Sequence, residues 1–351
     1  MSCGAFRQAG RSAVFVAVVS LTLQPAMAQA PSRAATLREA APSTARTPWG
    51  DPDLRGTWDF TTITSLERPA ELAGREFLTE REAAAIEKRI NQQRFETEAS
   101  SPGSLSAAGR AESDPGIYNL GWWWEPNGRR LVRTRRTSLV VDPPDGRLPP
   151  LTPQAQQILR TREDVRERPR APADLPLAER CIMGFNSGPP MVPGPYNNLV
   201  QLFQSPGYVV IVNEMVHDAR IVPLDSRPHV GGALRFWSGD SRSRWEGNTL
   251  VVETRNFTDH GTATFGLPGL IDRHLRLVER FTRMDDNVLM YRFTVDDPTI
   301  WTRSWSAEVP MTRIDGVVME YACHEGNYGL SNILSGARAE ERRAHAAESS
   351  R

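Results

Sequence analysis

Arg276-Leu277-Val278-Glu279-Arg280-Phe281, then Asp285-Asp286-Asn287, then Val288-Leu289-Met290-Tyr291-Arg292-Phe293, is the stretch that decides the fold. Two runs rich in β-branched, aromatic and alternating side chains flank an acidic turn, which is the pattern of a β-hairpin. The same pattern recurs on both sides. Upstream, Tyr208-Val209-Val210-Ile211-Val212 and Ala219-Arg220-Ile221-Val222-Pro223-Leu224 flank a short connection. Leu234-Arg235-Phe236-Trp237 and Thr249-Leu250-Val251-Val252-Glu253-Thr254 follow, with Glu246-Gly247-Asn248 as a turn. Downstream come Trp301 through Val309 and, after Asp315-Gly316, Val317-Val318-Met319-Glu320-Tyr321. Hairpins in series predict a mainly β chain, closed into an antiparallel barrel; a β-sandwich is the alternative.

A barrel needs a first strand to close against a last one. Gly56-Thr57-Trp58-Asp59-Phe60 supplies it. Between this strand and the hairpins lie long irregular insertions and two peripheral helices. One is expected near 80–97, where Thr79 and Glu82 form a Thr-x-x-Glu capping box. The other is expected near 153–166, with Thr152 as N-cap and Pro153 at the first helical position. The proline-rich segment 167–195 reads as irregular surface wrapping, pinned by Cys181.

The N-terminus reads as an export signal spanning 1–28. Arg7 and Arg11 precede the apolar run Ala13 to Leu23, and Ala26-Met27-Ala28 is a small-x-small cleavage site. Residues 29–47 form a flexible leader rich in Ala, Ser, Thr and Pro, 48–337 a single β-rich domain, and 338–351 a charged tail. The expected location is periplasmic or secreted, without membrane insertion. In such a compartment Cys181 and Cys323, the two cysteines beyond the signal, are expected to pair.

Forty-two basic residues balance forty-two acidic ones. No global field exists for nucleic acid or an anionic membrane. The one lysine, Lys88, sits in a polar helical segment, which argues against Schiff-base and phosphate-loop chemistry. No Gly-x-Ser-x-Gly, His-Glu-x-x-His or Gly-x-Gly-x-x-Gly signature is present.

Four polar clusters remain. Glu214, His217, Asp218 and Arg220 offer an imidazole flanked by carboxylates and a guanidinium, which suits acid–base work or a plain turn. Asp240 and Arg242 fall on one strand face, where they bind a polar ligand or pair with each other. Asn256, Asp259 and His260 read as loop polarity. Glu320-Tyr321-Ala322-Cys323-His324-Glu325-Gly326 holds His324 and Glu325 beside the expected disulfide. His217, His324 and Glu325 together also compose a zinc-like ligand set, although they share no diagnostic spacing. Trp301, Trp305 and Trp122-Trp123-Trp124 could line an apolar cavity or belong to the core.

Several of these motifs carry a resemblance. Thr47-Pro48-Trp49-Gly50-Asp51-Pro52-Asp53-Leu54, Leu66-Glu67-Arg68-Pro69, Arg136 to Arg147, Arg244 to Thr254 and Glu320 to Gly329 resemble a large family of exported proteins of environmental bacteria. That resemblance implies export and no particular reaction. Gly56-Thr57-Trp58 also looks like the entry strand of lipocalins and related calycins, which implies a calycin-like barrel.

The functional expectation is acid–base chemistry of the lyase, hydratase or isomerase kind, without a cofactor or metal, on an apolar or aromatic compound in a barrel cavity. His217 would be the base, oriented by Asp218 or Glu214, with His324 and Glu325 as partner acid and Arg220 or Arg242 on an oxyanion. A periplasmic binding module for a hydrophobic ligand and a metal-dependent hydrolase are the alternatives.

Overall fold

The computed structural model describes residues 45–100, 130–225, 227–259 and 273–349. The expected signal peptide, most of the leader, Trp122-Trp123-Trp124 and His260 lie outside them.

Ten strands form one antiparallel sheet. They are β1 (Gly56–Asp59), β2 (Val140–Asp142), β3 (Leu199–Ser205), β4 (Tyr208–Asn213), β5 (Ala219–Pro223), β6 (Asp240–Glu246), β7 (Thr249–Arg255), β8 (Arg276–Arg283), β9 (Val288–Asp296) and β10 (Trp305–Ile314). The order across the sheet is β5-β4-β3-β1-β10-β9-β8-β7-β6, with β2 added beside β10. The hairpins read from sequence account for most of this order. The entry strand works as expected: Thr57 pairs with Ile314 of β10 on one side and with Gln201 of β3 on the other. Alternation is cleanest in β8, where every second side chain from Leu277 to Arg283 is buried. Trp58, Leu202, Ile211, Leu277, Phe281, Tyr291, Phe293 and Trp305 fill the inner face. Tyr291 contacts the rings of Phe281 and Phe293 at 4.9 and 5.5 Å between centroids.

The expected closed barrel is not formed. β5 and β6, the two ends of the strand order, lie side by side, yet no backbone ladder joins them among the described residues. Strand parity explains this. Alternating directions along the order β5 to β6 leave the two end strands pointing the same way, so closure would need a parallel ladder in an antiparallel sheet. Side chains bridge the seam instead. Ser243 Oγ donates to the Pro223 carbonyl at 2.9 Å, and Ser238 Oγ to Asp218 Oδ2 at 3.3 Å. The sandwich alternative is also excluded, because the strands belong to one sheet.

The interior is occupied by the chain itself. Residues 186–192, expected on the surface, run buried and irregular, and Met191 N donates to Tyr291 Oη at 3.1 Å. Two further expectations change. Leu234–Trp237 is not a strand; Phe236 makes only an isolated bridge to Phe257. Val317–Tyr321 is not one either, and Val317 and Met319 are exposed. β10 already has β9 on one edge and β1 with β2 on the other, so the chain leaving it finds no edge to pair with.

The helices α1 (Glu80–Ser100) and α2 (Pro153–Glu167) start where their caps indicate. Thr79 N donates to Glu82 Oε2 at 2.9 Å, and Ala155 N donates to Thr152 Oγ1 at 3.1 Å. A third helix, α3 (Tyr328–Ser349), begins well before the expected tail. No helix among the described residues is long and apolar enough to cross a membrane. Cys181 and Cys323 form a disulfide with Cα atoms 5.7 Å apart.

Candidate functional site along the β5–β6 seam

The first expected cluster lies at one end of the seam, in the turn from β4 to β5. Glu214 is buried there; burial, with the nearby Asp59 charge, raises its carboxyl above the usual range against hydrogen bonds from the Asn197 side chain and the Met319 backbone N–H. Val216 and His217 carry φ of 59° and 40°. A positive φ at a β-branched residue is costly and marks a constrained turn. His217 is exposed at its end. Burial also raises the Asp218 carboxyl, with Arg220 and Ser238 acting in the opposite sense.

Arg220 points inward from β5 and is 5% exposed. Its Nη1 and Nη2 donate to Glu279 Oε2 and Oε1 at 2.6 and 2.9 Å. Tyr291 Oη donates to the same Glu279 Oε1 at 2.8 Å. Burial works against the Arg220 charge, but the Glu279 carboxylate prevails and holds the guanidinium more basic than usual. Burial, together with that carboxylate, pushes the Tyr291 hydroxyl well up. Both terminal nitrogens of Arg220 are thus committed to Glu279, which gives the pair a structural role in the core.

His324 and Glu325 lie exposed in the turn before α3. No hydrogen bond or ion pair links them to His217 among the described residues, and no group of three or more His, Cys, Asp or Glu is placed there to hold a metal. The zinc-like set is therefore not assembled. The arm carrying them is tied down elsewhere: Tyr321 stacks on Tyr196 at 6.5 Å, and Asn327 Nδ2 donates to the Glu179 carbonyl at 3.2 Å. Trp301 packs edge-to-face on Trp305 at 5.7 Å within the core, so its ring belongs to the packing and not to a ligand cavity. Asp259 pairs with Arg273.

Asp240 and Arg242 do share a face of β6, and Arg242 Nη1 donates to Asp240 Oδ1 at 2.6 Å. The sequence reading missed their third member. His229 Nδ1 lies 3.0 Å from Asp240 Oδ2, which also accepts from Val230 N at 3.0 Å. Arg242 further donates from Nη1 to the Ser241 carbonyl and from Nε to the Pro228 carbonyl. The connection from β5 to β6 is thus folded back on the strand it leads to, and His229 is held against a fixed carboxylate.

His229 and Arg242 line a groove of about 630 Å³ beside the seam, with Leu224 and Trp245 as apolar surface and Asp225, Arg227, Arg244 and Glu253 as polar rim. The rim charges are largely paired. Arg227 meets Asp225 at 2.5 Å, and Arg244 meets Glu246 at 2.6 Å. Glu253 is bound by Arg276 and Arg255; burial opposes its charge, yet the two guanidiniums bring its carboxyl down to about 2. His229 escaped notice because nothing local in its sequence announces Asp240, eleven residues on.

No protein-family model, curated protein or solved structure matches the chain.

Proposed function

We propose that this chain is an exported protein that binds a small polar compound in the groove beside the β5–β6 seam and transfers a proton on it through His229. The observation that carries the reading is that His229, which lines the groove, has its Nδ1 3.0 Å from Asp240 Oδ2 behind it. A carboxylate on Nδ1 fixes the proton there and leaves Nε2 to exchange one with a bound molecule. Nε2 takes the proton, Asp240 stabilises the imidazolium, and the proton returns to another atom of the same compound; this is isomerase or lyase chemistry. Arg242 Nη2 has no bond among the described residues and is available for a developing oxyanion. Acid–base work thus moves from His217 and His324 to His229, and the compound changes from apolar to polar, because Trp58, Phe281, Phe293 and residues 186–192 pack the apolar part of the interior. The disulfide supports an oxidising location, periplasmic or secreted, in keeping with the family resemblance.

Thermal-shift screening against sugars, hydroxy acids and neutral polyols tests the binding step. One class should raise the melting temperature of the wild type, and His229→Gln or Arg242→Gln should lose that shift. A ligand that protects both variants as well as the wild type would place binding elsewhere. NMR of the bound compound then separates turnover from simple binding.

A further inference from the structure

We infer that the interior of the sheet, between Asn213 and Arg220, binds a small polar guest that both donates and accepts a hydrogen bond: a water molecule or the hydroxyl of a bound compound. Asn213 is 1% exposed, and neither Oδ1 nor Nδ2 meets a protein partner; Arg220 Nε is buried in the same condition. The strand register brings them together. Ile211 of β4 pairs with Arg220 of β5, so Asn213, two residues further along the same inner face, is the diagonal neighbour of Arg220. Neighbours in that relation lie roughly 7–8 Å apart, somewhat less between Cβ atoms, which is within reach of one group bridging two polar side chains.

The demands of the two side chains define the guest. Arg220 Nε offers a donor, so the guest must accept. The Asn213 amide offers a donor and an acceptor, so the guest must match at least one of them. A purely apolar guest satisfies neither. The site also has a polar continuation. Arg220 grips Glu279, Tyr291 donates to Glu279, and Met191 N donates to Tyr291. At the other end the Asn213 N–H donates to the Asp218 carbonyl at 2.9 Å. A guest beside Asn213 therefore extends a hydrogen-bonded track from the buried 186–192 segment to the constrained turn at the seam. Leaving buried amide and guanidinium groups unmatched is costly, and native proteins answer with bound polar groups. This site is distinct from the His229 groove and stands or falls independently of it.

The substitution Asn213→Leu tests the inference. If the guest is present, leucine removes its anchor and the variant melts several degrees below wild type. If the amide has no guest, leucine relieves an unmatched polar group and the variant melts at or above wild type, which overturns the inference. Oxygen-17 and deuterium relaxation dispersion on the wild type provide an arm that does not depend on the variant folding. A long-lived internal water in the wild type identifies water as the guest. A non-covalent adduct in native mass spectrometry identifies a compound. Neither signal in the wild type would refute the site.

Discussion

Replacing Arg220 with methionine should be among the most damaging single changes in this protein, and replacing its partner as well should undo much of the harm. The buried Arg220–Glu279 pair is bidentate, at 2.6 and 2.9 Å, with side chains 4% and 0% exposed. In Arg220→Met the Glu279 carboxylate keeps only the Tyr291 hydroxyl among its present partners. Breaking a buried pair in this way costs about 3–5 kcal/mol, because a charge is left without its counterion. For a chain of this size that is a fall in Tm on the order of 10 °C. The double variant Arg220→Met/Glu279→Leu removes both charges and leaves the Tyr291 hydroxyl without its acceptor, so the residual cost is about 1–3 kcal/mol. Urea titration followed by tryptophan fluorescence reads both values from the transition midpoints. A single variant within about 1 kcal/mol of wild type, or a double variant worse than the single, would refute the reasoning.

The disulfide closes a span of 142 residues, and chain-entropy arguments assign such a closure roughly 5 kcal/mol; a reduced protein as stable as the oxidised one in a urea titration would contradict it. Thr152→Ala removes the acceptor for Ala155 N and the donor to the Thr299 carbonyl, and should cost about 1 kcal/mol in the same titration. Glu253 titrates at about 2 in the fold, so its contribution is complete above its unfolded value near 4.3 and fades as pH falls toward 2. Glu253→Gln should flatten that acid limb, modestly because the site is partly solvated. Glu214 has the opposite sign: its raised carboxyl disfavours the charged form in the fold, so stability declines as pH rises through the folded value, and Glu214→Gln should remove that decline.

The strands were legible because alternation is a local property. Val288 to Phe293 announces an inner face, and Asp285-Asp286-Asn287 announces the turn before it. The caps Thr79 and Thr152 were legible for the same reason. Closure was not, because it depends on the parity of the strand order, which no single hairpin contains. The buried pair left a signal that went unused. Glu279 sits at an inward position between Leu277 and Phe281, and Arg220 two residues before buried Val222; a charge on an apolar face demands a partner. His229 left none, since the stretch 225–233 around it carries no periodicity and only the folded turn brings it to Asp240. His324 lies beside the disulfide but exposed in the turn before α3, and rigidity of the backbone does not by itself bring a partner to the ring.

Nitrogen-15 NMR of the His229 ring, at a pH where the imidazole is neutral, is the most direct test of the proposed site. The account predicts a proton on Nδ1 and a bare Nε2, with that preference lost in Asp240→Asn. A proton on Nε2, or a tautomer indifferent to the loss of the Asp240 charge, would contradict it.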